Sequence, residues 1–164
     1  MKNILIAVAI IVGLFVLNTF NSDNKMMAEF SFTDIDGQAH TSADYQGKPL
    51  LVIFWATDCP GCVQEMPELV KLYQSYSTDD FSMLGIAMAH DSIKHIKAMR
   101  ENKQLPYTLT WDQDNSLAQA FDNVRVTPTH FLITPNGEII MRKIGSLNLE
   151  LIHNKLRGMG LNKT

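Results

Sequence analysis

The stretch Leu50-Leu51-Val52-Ile53-Phe54-Trp55-Ala56, followed two residues later by Cys59-Pro60-Gly61-Cys62, decides the fold of this chain. The apolar run does not alternate with polar residues, which predicts a strand buried on both faces at the centre of a sheet. After the cysteines, apolar residues recur at helical spacing. The motif therefore lies at a strand-to-helix junction, and its two cysteines are the only cysteines of the chain.

This position predicts a dithiol that forms and opens a disulfide. The first turn of a helix holds the two sulfurs on one side, and its unpaired N–H groups and dipole favour a negatively charged sulfur. Cys59, at the expected N-cap, is predicted to be the attacking thiol, and the more shielded Cys62 is predicted to be the resolving thiol. A bridge across two residues removes little unfolded-chain entropy, so a purely structural disulfide is disfavoured.

Length and composition predict one soluble domain. The chain has 164 residues, of which 46% are hydrophobic, enough for a single substantial core. Its net charge is −3, and its basic residues form no cluster that could follow a phosphate backbone. Nucleic acid is therefore not expected as a partner.

The first twenty residues predict a membrane-directed segment. Residues 4–17 are fourteen residues without a polar side chain, and as a helix they span roughly 21 Å, within the range of a signal-peptide apolar region. The bulky residues that follow disfavour cleavage, which leaves a single-pass anchor as the favoured interpretation. We therefore expect a signal peptide or anchor at 1–20, a linker at 21–28 and the domain at 29–164, on the periplasmic or extracytoplasmic face of a bacterial inner membrane.

Hydrophobic patterning beyond the motif predicts alternating strands and helices. Phe30–Thr41 has the pattern of a short hairpin. Strands are expected at 50–56, 81–89, 106–110, 129–134 and 138–144, and helices after Cys62 and at 92–103, 116–121 and 147–156. This order predicts an α/β domain with a mixed sheet, partly parallel and partly antiparallel.

Four features carry a family resemblance: Phe54-Trp55-Ala56 before the first cysteine, Glu65-Met66-Pro67 after the second, Val126-Thr127-Pro128-Thr129-His130-Phe131, and Pro135-Asn136-Gly137. From about Phe30 to Leu156 the chain resembles thioredoxin-fold proteins, and more narrowly the membrane-tethered TlpA/ResA group of thiol-disulfide oxidoreductases. The resemblance implies a three-layer thioredoxin-like fold, in which helices flank the mixed central sheet.

The resemblance also implies a substrate-binding surface. Pro128 would follow a cis peptide bond and face the dithiol, and the backbone of Thr127 would then pair with an extended partner peptide. The residues implied for this surface are Trp55, Pro60, Gly61, Thr127 and Pro128.

An acid near the thiols is expected at Glu65. In the resembling group this position carries an acid that tunes the cysteines or serves as base. The acid typical of thioredoxins lies six residues before the first cysteine, and that position here is Ile53. Glu65 is therefore predicted to take over part of this role, with a solvated surface glutamate as the alternative.

Asp58 occupies the position where the family usually has tryptophan. A carboxylate beside Cys59 disfavours the thiolate, so the dithiol is predicted to be a moderate or strong reductant rather than a strong oxidant.

The favoured function is disulfide reduction or exchange in exported proteins, with a membrane electron donor re-reducing the dithiol. The resemblance implies cytochrome c maturation as one setting. No cofactor or metal is expected beyond the redox-active disulfide itself.

A disulfide-forming oxidase would use the same residues, and a copper-binding chaperone would need only the two thiolates, with His90 or His130 recruited. A thiol peroxidase is disfavoured because Thr57 lies two, not three, residues before Cys59.

Overall fold

The computed structural model describes residues 25–76 and 78–163 and contains seven strands and four α-helices within them. A short 3-10 helix at Ser42–Tyr45 follows the first two strands. The strands are β1 Ser31–Thr33, β2 Ala39–Thr41, β3 Leu50–Trp55, β4 Ser82–Ala87, β5 Thr108–Trp111, β6 Thr129–Ile133 and β7 Ile139–Ile144. The helices are α1 Pro60–Gln74, α2 Ile93–Lys103, α3 Ser116–Ala120 and α4 Leu149–Gly158.

The main sheet has five strands in the order β5-β4-β3-β6-β7. β3 pairs in parallel with β4, and β4 with β5, whereas β6 runs antiparallel to both β3 and β7. The prediction of a mixed sheet is therefore confirmed. β3 lies at its centre because all six of its residues are buried, as the unbroken apolar run requires.

Two hydrophobic clusters lie on the opposite faces of this sheet. The first contains buried residues of α1, α2 and α4 and lies against the sheet face that includes Ile53. The second contains residues of α3 and the 3-10 helix and lies against the face that includes Phe54. The alternating side chains of β3 thus contribute to both clusters, which gives the three-layer, thioredoxin-like arrangement predicted above.

Both outer strands of the sheet are partly covered. The β1-β2 hairpin lies against β5, where Ile35 donates its N–H to the Leu109 carbonyl at 3.0 Å and the Thr110 hydroxyl donates to the Thr33 carbonyl at 2.8 Å. At the start of β7, the Ile139 N–H donates to the Lys25 carbonyl at 2.8 Å. Residues 25–27, assigned above to the linker, are thus hydrogen-bonded to the domain.

Three further details refine the expectations. α1 runs through Pro67 to Gln74, so the proline does not end the helix, although it supplies no N–H to the preceding turn. The 3-10 helix was not predicted.

The expected signal peptide or anchor at 1–20 lies outside the described residues, and among those described no helix is long and apolar enough to cross a membrane.

Replacing Gly85 with alanine is expected to destabilise the fold. A Cβ at this position would lie 2.6 Å from Leu109 Cδ2 and 3.2 Å from Trp55 Nε1, inside the first cluster. Overpacking of a filled core costs about 1–3 kcal/mol, which urea denaturation of Gly85→Ala should detect. Gly158→Ala is the matched control, because nothing lies within 4 Å of its added methyl group. A Gly85→Ala protein as stable as the wild type would contradict this packing.

Candidate functional site

The dithiol lies where the central strand passes into the first helix. β3 ends at Trp55, and Cys59 is the N-cap of α1, with Pro60 at the first helical position. The Cys62 N–H donates to the Cys59 sulfur at 3.2 Å, so this sulfur caps the helix. The sulfur therefore lies in the positive end of the helix dipole, as the sequence predicted.

The two cysteines are joined in a disulfide, with their Cα atoms 5.3 Å apart. Cys59 is 9% exposed and Cys62 is 1% exposed. Pro60 is exposed beside them and Gly61 is half-buried. Of the two half-cystines, Cys59 is thus the one that a partner reaches from solvent.

The loop before β6 faces the dithiol. The Thr127–Pro128 peptide bond is cis, as the resemblance implied. Pro128 is buried, and its Cδ would lie 3.7 Å from a Cβ built on Gly61, so the proline ring lies over the turn between the cysteines. Thr127 is half-buried, and the preceding Val126 is 50% exposed, which leaves this loop open to a partner.

Glu65 is paired rather than solvated. Its Oε1 lies 2.8 Å from Nε2 of His130, the second residue of β6. The His130 side chain is fully buried and that of Glu65 is 11% exposed, so the pair lies inside the fold. Glu65 Oε2 and His130 Nδ1 are also buried and have no hydrogen-bond partner among the described residues.

Charged groups fix and flank the loop before Cys59. The Asp91 carboxylate accepts hydrogen bonds from the Thr57 N–H at 2.7 Å and from the Thr57 hydroxyl at 2.9 Å. Asp58 is exposed and lies 3.3 Å from the His90 imidazole, which is also exposed. Asp91 therefore anchors the loop, while the Asp58–His90 pair lies at its solvent side.

The structure places Trp55 differently from the other residues expected to bind substrate. Trp55 is 3% exposed and packs in the first cluster beside Gly85. Its side chain points to the same sheet face as Ile53, because alternate residues of a strand share a face. Trp55 therefore supports the site from below and offers almost no surface to a peptide, whereas Pro60, Gly61, Thr127 and Pro128 lie around the disulfide.

Sequence reasoning missed the His130–Glu65 and His90–Asp58 contacts. Each joins residues from distant segments, at separations of 65 and 32 positions. On β6, His130 pairs in register with Ile53, whose side chain points to the sheet face that α1 covers. The strand pairing could therefore have indicated that the His130 side chain lies near α1 and Glu65. Among the described residues, no three His, Cys, Asp or Glu side chains are grouped so that they could hold a metal ion.

Comparisons with known proteins agree with this geometry. A thiol-disulfide oxidoreductase named ResA from Geobacillus kaustophilus is 30% identical over 131 residues, which cover 80% of this chain and 74% of that protein. A solution structure from Neisseria meningitidis, named as a candidate thioredoxin, superposes with a TM-score of 0.76 at 33% identity and covers 83% of this chain and 91% of that one. A thiol:disulfide interchange protein from Chlorobium tepidum superposes with a TM-score of 0.75 at 23% identity, covers 83% of this chain and 96% of that one, and shares the fold.

Fold, disulfide and relatives together define a thiol-disulfide oxidoreductase with a thioredoxin-like fold. The profile of the AhpC/TSA family matches residues 24–142, and the chain belongs to that family.

Replacing Asp58 with asparagine is expected to make the dithiol a weaker reductant. The substitution removes a negative charge next to Cys59, stabilises the thiolate, and so favours the reduced form. Because Asp58 is exposed and solvent screens its charge, the reduction potential should rise by only on the order of 10 mV. Equilibration with glutathione at low and high salt measures this. Asp114→Asn, an exposed acid elsewhere on the surface, is the control, and a potential lowered in Asp58→Asn would contradict the prediction.

Proposed function

We propose that this protein is an exported, membrane-tethered thiol-disulfide oxidoreductase that reduces disulfides in other exported proteins. The observation that carries the redox part is the Cys59–Cys62 disulfide at a helix N-terminus beneath a cis-proline loop. The apolar run at 4–17, after Lys2 and before a polar segment, supports export and anchoring. The active domain then lies on the extracytoplasmic face of the membrane.

Cys59 is the attacking residue in this proposal. In the reduced protein its thiolate attacks one sulfur of the substrate disulfide, and the other substrate sulfur leaves as a thiolate and takes up a proton. The resulting mixed disulfide joins Cys59 to the substrate. Cys59 suits this step because it is the more exposed cysteine and because its sulfur lies at the positive end of α1.

Cys62 is the resolving residue. Its thiolate attacks the Cys59 sulfur, closes the Cys59–Cys62 disulfide and releases the second substrate thiol, so two electrons pass from the protein to the substrate. Its burial prevents an external disulfide from reaching it first. Glu65, one turn further along α1, takes the proton that Cys62 loses.

The cis-proline loop supplies the substrate contact. Pro128 has no N–H to donate and its ring covers Gly61, so the chain before it runs beside the dithiol. An extended substrate segment pairs with the Thr127 backbone, while the exposed Val126 and Pro60 contact its apolar side chains. Such backbone recognition accepts many sequences, as an enzyme for several exported proteins requires.

A dithiol donor in the membrane re-reduces the protein after each cycle. Apocytochrome c thiols are one substrate class in this proposal, which follows the resemblance to the TlpA/ResA group. Asp58 favours the reducing direction over disulfide formation because its charge opposes the Cys59 thiolate.

Substitution of Cys62 by alanine is expected to trap substrates. Without the resolving thiol, the Cys59–substrate disulfide persists and should accumulate as higher-mass species on non-reducing gels of membrane fractions, to be identified by mass spectrometry. Cys59→Ala is the matched control and should trap almost nothing, because the remaining thiol is buried. Trapping by the Cys59→Ala protein at the same level would reverse the assigned roles.

Export is tested by the side of the membrane on which the domain lies. In intact cells, a maleimide reagent that does not cross the inner membrane should label Cys59 after reduction, and the protein should remain in the membrane fraction after a high-salt wash. Deletion of residues 2–20 should abolish both results. Labelling only after cell lysis would overturn the extracytoplasmic assignment and leave the dithiol chemistry standing.

A further inference from the structure

We propose that His130 is a positioning residue for the resolving step: it holds the Glu65 carboxylate beneath the dithiol so that Glu65 Oε2 takes the proton of Cys62. This inference rests on the proposed roles of Cys59 and Cys62. It starts from the buried contact between Glu65 Oε1 and His130 Nε2 at 2.8 Å.

The hydrogen bond between Glu65 and His130 determines which ring nitrogen of His130 carries the hydrogen. An ionised carboxylate only accepts hydrogen bonds, so Nε2 carries the hydrogen and donates it to Oε1. His130 Nδ1 is buried without a partner among the described residues. A hydrogen on Nδ1 would lack an acceptor there, so the tautomer with its hydrogen on Nε2 fits these contacts. His130 is therefore oriented by its single bond to Glu65.

The other oxygen of Glu65 is the place that receives a proton. Oε2 is buried and no described group donates to it, so its lone pairs are free. When Oε2 takes a proton, Oε1 still accepts the His130 hydrogen bond, so the pair keeps its geometry in both protonation states. The pair can thus accept and return a proton without moving.

The backbone brings this pair to the resolving cysteine. Glu65 lies three residues after Cys62 on α1, which places their Cβ atoms about 5–6 Å apart. His130 follows the cis-proline by two residues, and its register partner on β3 is Ile53. The position that holds an acid in thioredoxins is thus occupied by Ile53, and His130 on the neighbouring strand secures a carboxylate that comes from the helix instead.

The chemical step balances within the site. The Cys62 S–H bond breaks, an O–H bond forms at Glu65 Oε2, and the Cys62 thiolate attacks the Cys59 sulfur. The substrate sulfur leaves Cys59 as a thiolate and takes up the proton that Glu65 returns. Because Cys62 is 1% exposed, water has little access to its sulfur, so an internal acceptor speeds the loss of its proton at neutral pH.

Other titratable and charged groups around the pair do not replace it. Burial raises the pKa of Tyr107, and the Glu65 charge raises it further, so this phenol stays neutral. Lys143 lies opposite His130 in register on β7, but it is exposed to solvent. Asp58 and His90 lie beyond Cys59 on the exposed side of the loop. The buried acceptor for Cys62 is therefore Glu65.

The experiment follows both sulfurs of the reduced full-length protein with the chromogenic disulfide DTNB. Attack by Cys59 releases a first thionitrobenzoate, and closure by Cys62 releases a second, so the two phases separate the two steps. His130→Leu is expected to slow the second phase about tenfold at pH 7 and leave the first within about twofold. The deficit should shrink as pH rises, because hydroxide then removes the Cys62 proton.

Matched variants distinguish positioning from packing. His130→Gln keeps an amide donor for Oε1 and should restore the second phase to within about threefold of the wild type, whereas the shorter His130→Asn should not. Glu65→Gln should slow the second phase at least as much as His130→Leu, and the double variant should be no slower than Glu65→Gln. His153→Leu, a partly buried histidine on α4 that bonds Tyr76, is the control and should change neither phase.

Each outcome has one meaning. A second phase with unchanged rate and pH dependence in both His130→Asn and His130→Leu overturns the role of His130, as does equal slowing of both phases. If His130→Leu fails to fold, the comparison of His130→Asn with His130→Gln decides alone, and equal rates in those two variants overturn the proposal. Loss of the first phase in the wild type would instead overturn the proposed role of Cys59.

Discussion

The hydrogen bond from the Cys62 N–H to the Cys59 sulfur is the contact on which the site depends. It makes one atom both the cap of α1 and the reactive atom of the protein. The sulfur can hold this position because β3, buried along its whole length, delivers the chain to the helix start at a fixed place. A helix that begins here directs its unpaired N–H groups at the sulfur. The contact that caps the helix therefore also favours the thiolate form of Cys59.

The core below the disulfide is more polar than a core built for stability alone. Three side-chain atoms in this region are buried without a hydrogen-bond partner among the described residues: Trp55 Nε1, Glu65 Oε2 and His130 Nδ1. Each such atom costs free energy of folding. A buried polar atom without a partner calls for an explanation, and a catalytic role is one such explanation. For Glu65 Oε2 and His130 Nδ1 that explanation is the transfer of a proton in the proposed resolving step.

Most of the fold could be predicted from the sequence, and the polar part of the site could not. The apolar run at 50–56 and the helical spacing after Cys62 predict their elements to within a residue or two, because burial and periodicity are local signals. The cis-proline was predicted only through resemblance, since nothing in the dipeptide Thr127-Pro128 itself selects the isomer. The Glu65–His130 contact depends on strand register and helix packing together, so the sequence alone does not distinguish a paired Glu65 from a solvated one.

Trp55 was expected at the substrate-binding surface but lies in the core. Its place in a motif suggested a role in binding, whereas the alternation of side chains along β3 turns the indole inward. A residue can thus belong to a family signature because it shapes the floor of a site rather than its surface.

The covering of the outer strands has a consequence for how a client chain is held. Bare strand edges recruit other polypeptides and seed aggregation. Here the β1-β2 hairpin lies along β5, residues 25–27 pair with the start of β7, and β7 also carries the charged Arg142 and Lys143. Under the proposed function, an unfolded client joined through sulfur finds little free backbone at these edges, so it is held by the disulfide and by the loop contacts beside it.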